Sequence, residues 1–223
     1  KLKSNFEYNL WLMYTTRPPR VEELFSDGPH LASYAFEIGN PNLESEKIYG
    51  IENSFLFNRD PLYLSLVLFY NYSPYYFQMT KDGLCEIPDD WQSWQTHPCH
   101  GADFIDWGSG GLGWLHKYSS KGNEVVIKGF EFDLEYKIDK LNLNYSVSFV
   151  EGYDKTADSY LSYISPMKEI ATISLEDQFL TYKIKLTNIH PQGRLGEFET
   201  PTEGVFLTDC IVSFNFDSNS SLT

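Results

Sequence analysis

Alternation of apolar and polar side chains with a period of two residues most constrains the fold of this chain. In residues 141–150 every second residue is apolar, and the residues between them are mainly Asn and Ser. In residues 129–138 apolar side chains alternate with Glu, Asp and Lys. Successive side chains of a β-strand point to opposite faces of a sheet, so each segment predicts a strand with one apolar face and one wet face.

Six further segments show the same alternation less regularly. They are residues 6–14, 47–57, 62–76, 169–176, 180–189 and 205–216. The sequence therefore predicts an all-β chain of about eight strands. An aromatic content of 17% agrees with this, because aromatic residues are enriched in strands.

The connections between these segments alternate in length. Tight turns are predicted at 58–61, 139–140 and 177–178, which contain Asn, Asp and Pro, and long connections at 15–43, 80–122, 151–167 and 191–203. In an up-and-down antiparallel sheet this order puts the short turns at one end and the long loops at the other. Such asymmetry, with strands of about 10 residues, is typical of transmembrane β-barrels with short periplasmic turns and long extracellular loops.

A soluble antiparallel sandwich or a lipocalin-like barrel would show the same alternation, so alternation alone leaves those folds open. Strand length and loop asymmetry favour the membrane barrel. No stretch reaches the ~18 apolar residues of a membrane-spanning helix. The formal net charge of −14 argues against nucleic acid as a partner, because binding the phosphate backbone requires a basic surface.

Several blocks resemble the barrel domain of TonB-dependent outer-membrane receptors. They are Arg17-Pro18, Glu23-Leu24-Phe25, Gly28-Pro29-His30, Phe36-Glu37-Ile38-Gly39-Asn40-Pro41-Asn42-Leu43 with Glu46, Lys128-Gly129-Phe130-Glu131, and Arg194-Leu195-Gly196-Glu197-Phe198-Glu199-Thr200-Pro201-Thr202. The resemblance spans nearly the whole chain. It is closest to receptors of the zinc- and copper-uptake kind, and related blocks occur in siderophore receptors.

The resemblance implies a bacterial outer-membrane transporter with a closed barrel of about twenty-two strands around an N-terminal plug. Ligand would bind to the plug and the extracellular loops, and the TonB complex would supply energy through the plug. By this resemblance, residues 1–223 are expected to be an incomplete, C-terminal part of the barrel domain, without the plug and the flanking strands. Such an open sheet has two unpaired edges, which lipid does not tolerate, so this part alone should neither close nor transport.

All five histidines fall in or beside the long connections: His30, His97, His100, His116 and His190. Neutral imidazole suits Zn, Cu, Fe and Ni, so histidines on an extracellular rim can capture a metal. The alternative is that strands with a lipid-facing side exclude His, which makes loop placement automatic.

Cys85 and Cys99 lie in the loop that also holds His97, His100 and Asp103. Two thiols beside His and Asp can form a soft metal site, but in an oxidising compartment a disulfide is favoured. Closing this loop would contribute ~3 kcal/mol of stability in the chain-entropy model. The candidate metal ligands are then His97, His100 and Asp103, with His116 as a further candidate.

The same loop carries Trp91, Trp94, Trp107 and Trp114. Their rings can stack on a sugar or an aromatic chelator, or can form a small core within the loop. Cys210 is expected to be a small buried hydrophobic residue on the apolar face of the last strand. Glu131, Asp133 and Glu135 share one strand face, which fits a hydrated channel wall rather than a pair of catalytic carboxylates.

The sequence contains no nucleophile with a base at credible spacing, so no enzymatic activity and no resident cofactor are expected. The predicted function is import of a scarce nutrient, a metal ion or a metal chelate, with outer-membrane lipid and the TonB complex as partners. The competing hypothesis is a soluble secreted β-sheet module that binds carbohydrate through the Trp-rich loop. A porin without an energy source is a third hypothesis.

Overall fold

The computed structural model describes residues 5–33, 35–83, 103–106, 114–197, 199–217 and 220–222. In this part of the chain, thirteen strands form one sheet, and the single α-helix is α1 (Val21–Phe25). Among these residues, no helix combines the length and the apolar character that crossing a membrane requires.

Eight of the thirteen strands are long and five are short. The long strands are β1 (Phe6–Arg17), β4 (Glu46–Arg59), β5 (Leu62–Lys81), β7 (Trp114–Ile138), β8 (Leu141–Asp154), β10 (Lys168–Glu176), β11 (Leu180–Ile189) and β12 (Val205–Asp217). The short strands are β2 (Asp27–His30), β3 (Ala35–Ile38), β6 (Phe104–Asp106), β9 (Ser159–Tyr160) and β13 (Ser220–Leu222).

The long strands follow one another in the sheet in their chain order, β1-β4-β5-β7-β8-β10-β11-β12, with β13 after β12. The predicted up-and-down antiparallel fold is therefore confirmed. Tight turns join β4 to β5, β7 to β8 and β10 to β11, and the connections between the other neighbours are long. The sequence prediction of short and long connections at opposite ends of the strands is also confirmed.

The predicted connection 80–122 was wrong in its bounds, because β5 continues to Lys81 and β7 begins at Trp114. The first part of β7 pairs with β3 in parallel and with β6 in antiparallel orientation. Leu115 and His116 are consecutive and both buried, so this part of β7 is covered on both faces. The two-residue alternation that marks the second half of β7 is consequently absent here.

The chain divides into two compact units. Unit 1 comprises Lys1–Tyr14, Tyr49–Tyr72 and Val126–Thr223, and unit 2 comprises Thr15–Ile48 and Ser73–Val125. Among the described residues, all buried hydrophobic side chains except Val126 and Leu161 belong to unit 2. All exposed large hydrophobic side chains except Val21, Phe25 and Leu31 belong to unit 1. Of these side chains, unit 2 thus holds most of the buried ones, whereas unit 1 holds most of the exposed ones.

One face of the unit 1 sheet, here called the apolar face, carries hydrophobic side chains in register. Leu143 of β8, Ile173 of β10, Ile184 of β11 and Cys210 of β12 form one row across four strands. Ile173 is 50% exposed and Ile184 is 47% exposed. No described protein layer covers this face.

Cys210 corrects a sequence prediction. Its free thiol is exposed rather than buried. The residue does lie on the apolar side of β12, as predicted, opposite Ile184. It is exposed because the apolar face of unit 1 is not the inside of a protein core.

The opposite face of the unit 1 sheet, the polar face, carries amide, hydroxyl and charged side chains. Asn144, Thr172, Lys185 and Asp209 form one row across β8, β10, β11 and β12. On β7, Glu131, Asp133 and Glu135 alternate with Phe130, Phe132 and Leu134, and the Asn142 amide hydrogen-bonds the Glu135 carboxylate at 3.4 Å. These contacts fit the predicted hydrated wall.

An ion network at the end of β1 stabilises unit 2. The Arg17 guanidinium lies 3.0 Å from Glu23 and 2.8 Å from Glu46, and its Cζ lies 4.5 Å above the Phe77 ring. Burial by itself raises the pKa of Glu23. The hydrogen bonds from Arg17 and from the backbone N–H of Arg20 outweigh it and hold that pKa below its usual value. Arg17 of the Arg-Pro block and Glu23 of the Glu-Leu block therefore hold the start of the first long connection in place through their ion pair.

Gly129 gives a test of strand packing on the polar face. A Cβ at this position would lie 2.2 Å from the Phe149 carbonyl oxygen and 2.6 Å from Cζ of Phe69. Gly129→Val should therefore destabilise the folded sheet by about 1–3 kcal/mol, because backbone atoms cannot move aside as a flexible side chain can. The measurement is the temperature at which the full-length protein loses its compact form on detergent gels. Gly193→Val is the matched control, because an added Cβ there meets no atom within 4 Å. Equal melting of the two variants would contradict the packing described.

Candidate ligand-binding site

The sequence predicts eight ligand-binding residues in the long connections: His30, Trp91, Trp94, His97, His100, Asp103, Trp107 and His116. Three of them lie in the described part of the chain, and all three belong to unit 2. They are His30, Asp103 and His116. Trp91, Trp94, His97, His100 and Trp107 lie outside the described residues, as do Cys85 and Cys99 of the predicted disulfide. The metal set that includes His97 and His100, and the disulfide, therefore stay predictions.

Short strands bring the three described residues into one part of the unit 2 sheet. His30 of β2 is the partner of Ala35 in β3, Ala35 is the partner of His116 in β7, and His116 is the partner of Phe104 in β6. Asp103 directly precedes Phe104. The Cα atoms of His30 and His116 are thus two strand spacings apart, about 10 Å. Residues from distant parts of the sequence meet here because of the strand pairing.

His30 is the exposed member of this group. Its Nδ1 lies 2.6 Å from a carboxylate oxygen of Glu37, and its side chain is 57% exposed. A carboxylate that accepts from Nδ1 leaves Nε2 as the outward ring nitrogen, the arrangement by which proteins orient metal-binding histidines. Glu37 was not predicted as the partner of His30, because residues 15–43 were predicted to be a connection and not to contain the β2–β3 hairpin.

His116 is the buried member of this group, at 9% exposure. Burial, together with the charge of Lys81, lowers the pKa of His116 to about 4, although Asp103 acts in the opposite direction. The imidazole is therefore neutral at physiological pH. It packs within the unit 2 core, so the prediction of His116 in a loop is corrected: the residue lies in β7.

Asp103 is held at the end of β5. Its backbone oxygen accepts the Lys117 N–H at 2.9 Å, and its carboxylate packs against Gly83, where an added Cβ would lie 2.1 Å from the carboxylate carbon. Gly83 has a φ of 77°, which a residue with a side chain adopts with strain. Close approach and backbone conformation both require glycine here.

Within the described ranges, no group of three or more His, Cys, Asp or Glu side chains is arranged to hold a metal ion. His30, Asp103 and His116 therefore do not form a complete metal site by themselves. They lie on the same unit 2 sheet, from which β6 leads into the segments that carry the other predicted ligands.

A second arrangement, in unit 1, joins the connections on either side of β10 and β11. One Glu199 carboxylate oxygen accepts the Tyr163 N–H at 2.8 Å and the other accepts the Gly196 N–H at 2.9 Å. The Gln192 side chain, which is buried, donates to the Ile164 carbonyl at 2.9 Å. The block 194–202 that carries the family resemblance thus fastens one long connection to the other.

The contact with Glu199 holds the backbone of Tyr163 while the residue stays exposed. Its backbone has a φ of 64° and its side chain is 79% exposed. A non-glycine residue in the left-handed region persists only where its surroundings hold it, as the Glu199 carboxylate does here. Tyr163 was not predicted from the sequence, because no local pattern marks it and its partner is 36 residues away.

The chain is similar to proteins of a known family. Residues 8–182 match the family model described as "TonB dependent receptor-like, beta-barrel". A comparison with curated protein sequences gives no match.

Many solved structures are similar to this chain, and three of them are described here by name. The copper transporter OprC superposes with a TM-score of 0.73 at 14% identity, covering 98% of this chain and 30% of that one. The ferric enterobactin receptor PfeA, from Pseudomonas aeruginosa, gives 0.69 at 14% identity, covering 99% and 32%. The siderophore receptor PirA from Acinetobacter baumannii gives 0.66 at 12% identity, covering 98% and 34%.

This chain spans about a third of the length of these receptors. The likeness in fold extends over almost all of this chain, and the family model matches most of it. The described sheet has the strand order of a part of such a barrel. The chain belongs to the TonB-dependent receptor-like β-barrel family.

Proposed function

We propose that this chain is part of a bacterial outer-membrane transporter that captures a metal ion or metal chelate at its extracellular loops and imports it into the periplasm. One observation carries the proposal: the unit 1 sheet has an apolar face that the described residues leave uncovered, beside a polar face lined by charged and hydroxyl groups. A sheet of this kind separates hydrocarbon from water. Members of the family are transport receptors rather than enzymes, which supports the class.

The metal-containing cargo is supported by chemistry in unit 2. His30, held by Glu37, lies on β2, and Asp103 directly precedes β6. In the sequence, Asp103 and β6 adjoin the segments that carry Trp91, Trp94, His97, His100 and Trp107. Imidazole and carboxylate suit transition metals, and tryptophan faces suit an aromatic chelator. Among the similar structures, one is named a copper transporter and two are named siderophore receptors.

The route of transport would follow the polar face of unit 1. Glu131, Asp133 and Glu135 on β7 and Lys183 and Lys185 on β11 keep such a wall hydrated. By the family resemblance, a plug inside the closed barrel would block this route, and the TonB complex would supply the energy to displace it. The loops would thus select the cargo and the wall would let it pass.

Membrane placement can be tested by a charge on each face of the sheet. Ile184→Lys puts an ammonium in the middle of the apolar face and should cost about 2–4 kcal/mol at the centre of a bilayer. The control Ser146→Lys puts the same charge on the polar face and should be nearly neutral. The measurement is the amount of folded full-length protein in the outer-membrane fraction. Equal yields of the two variants, or wild-type protein in the detergent-free soluble fraction, would favour the secreted carbohydrate-binding module.

Cargo can be tested by titrating the full-length receptor with zinc, copper and a ferric chelate. His97→Ala combined with His100→Ala should weaken binding of at least one of them about tenfold, the effect of losing about 1.4 kcal/mol of binding free energy. His190→Ala, which removes an imidazole from unit 1, is the control and should leave binding unchanged. Unchanged affinity for all three ligands in the double variant would contradict metal capture by this loop.

A further inference from the structure

A group of cations lies at one end of the apolar face of unit 1. Lys128 lies two residues before Phe130 on β7, so it is on the same face as the apolar residues that follow it. Arg194 and Lys155, from the two long connections of unit 1, reach the same region through their contacts with β8 and β5. We call Lys128, Lys155 and Arg194 the basic edge.

Two of these cations lie over aromatic rings. The Arg194 guanidinium carbon is 4.6 Å from the centre of the Phe149 ring, and the Lys155 ammonium is 5.4 Å from the centre of the Tyr72 ring. The Phe149 ring in turn packs against Phe130, with ring centres 5.8 Å apart. Each cation is thus continuous with the apolar face, in the way that long basic side chains extend from apolar surface toward water.

Lys128 and Arg194 share one carboxylate at the basic edge. Glu151 lies 3.0 Å from the Lys128 ammonium and 3.6 Å from the Arg194 guanidinium. Lys128 and Arg194 keep 53% and 39% of their side-chain surface exposed. Both cations can therefore be reached by a further anion from outside the protein.

Two other carboxylates of this region are engaged elsewhere. Glu169 accepts hydrogen bonds from Tyr145 at 2.9 Å and Asn188 at 2.8 Å, and it pairs with His190 at 2.9 Å. Asp158 accepts a hydrogen bond from the Tyr153 hydroxyl. Both carboxylates thus have partners outside the basic edge.

We propose that the basic edge binds the phosphate group of a membrane lipid whose acyl chains cover the adjoining apolar face. The proposal rests on the membrane placement given under the proposed function. Arg194 offers the planar fork of donors that matches a phosphate, and Lys128 adds a point charge beside it. The Phe149 and Phe130 rings next to them give the apolar contact that a lipid, unlike free phosphate, requires. A lipid can therefore place its phosphate on Lys128 and Arg194 and its acyl chains on the adjoining apolar face.

The experiment uses full-length receptor purified in mild detergent and stripped of lipid. Phosphatidic acid and diacylglycerol with the same acyl chains are added, since these two lipids differ only in the phosphate group, and bound lipid is counted by native mass spectrometry. Wild-type protein should bind phosphatidic acid at least about tenfold more tightly than diacylglycerol, because only phosphatidic acid offers Lys128 and Arg194 a phosphate for charge-assisted hydrogen bonds. Inorganic phosphate at the same concentration should not compete.

Lys128→Gln combined with Arg194→Gln should reduce phosphatidic acid binding to the diacylglycerol level. The matched control, Lys183→Gln with Lys185→Gln, removes the same charge from the polar face and should retain the preference for phosphate. Lys128→Gln alone serves if the double variant fails to fold, and it should weaken phosphatidic acid binding about threefold to tenfold.

Three results would overturn the proposal: equal binding of the two lipids by wild type, equal loss in both double variants, or competition by inorganic phosphate that abolishes the difference. Wild-type protein that binds neither lipid and needs no detergent would instead refute the membrane placement itself. Failure of the lipid site and failure of the proposed function are therefore distinguishable.

Discussion

The structure of unit 1 depends on one constraint: its sheet carries apolar side chains on a face that no described protein layer covers. Backbone groups are satisfied by pairing between neighbouring strands, so the sheet can stand against an apolar phase without exposing unpaired N–H and C=O groups between its strands. The row Leu143, Ile173, Ile184 and Cys210 shows how strictly the pairing register keeps apolar side chains together. Apolar surface of this extent on a folded protein marks contact with lipid or with a partner.

Unit 2, unlike unit 1, buries apolar side chains in a core of its own. Ala35, Phe36, Leu43, Leu115, Tyr118 and Val125 form a small internal core, and an ion network around Arg17 fastens the first connection to it. Short strands β2, β3 and β6 extend the sheet beside the first part of β7. The candidate ligands His30 and Asp103 belong to this self-supporting unit. A binding surface on a packed scaffold needs less ordering when ligand arrives than one on an unsupported loop.

Much of the unit 1 sheet could be predicted from the sequence. Successive side chains of each strand point alternately to the apolar face and to the polar face, so the sequence alternates in polarity. The predicted strand 180–189 coincides with β11, and 205–216 falls one residue short of β12. The first part of β7 could not be predicted in this way, since Leu115 and His116 are both buried and the period of two disappears. The same holds for the β2–β3 hairpin, whose four-residue strands pair locally and carry no alternating pattern long enough to recognise.

Strand order and the two contrasting faces of the sheet follow from the sequence, because a period of two and the spacing of turns act locally along the chain. The resemblance to the family is carried by the blocks within residues 17–46, 128–131 and 194–202. The tertiary structure alone decided which side chains meet. Glu37 on His30, Glu199 on Tyr163, and Lys128 with Arg194 on Glu151 are pairings across strands or connections. Such pairings depend on register and on loop packing, where one residue of slip moves every side chain to the other face. The residues next to each partner in the sequence therefore do not predict these pairings.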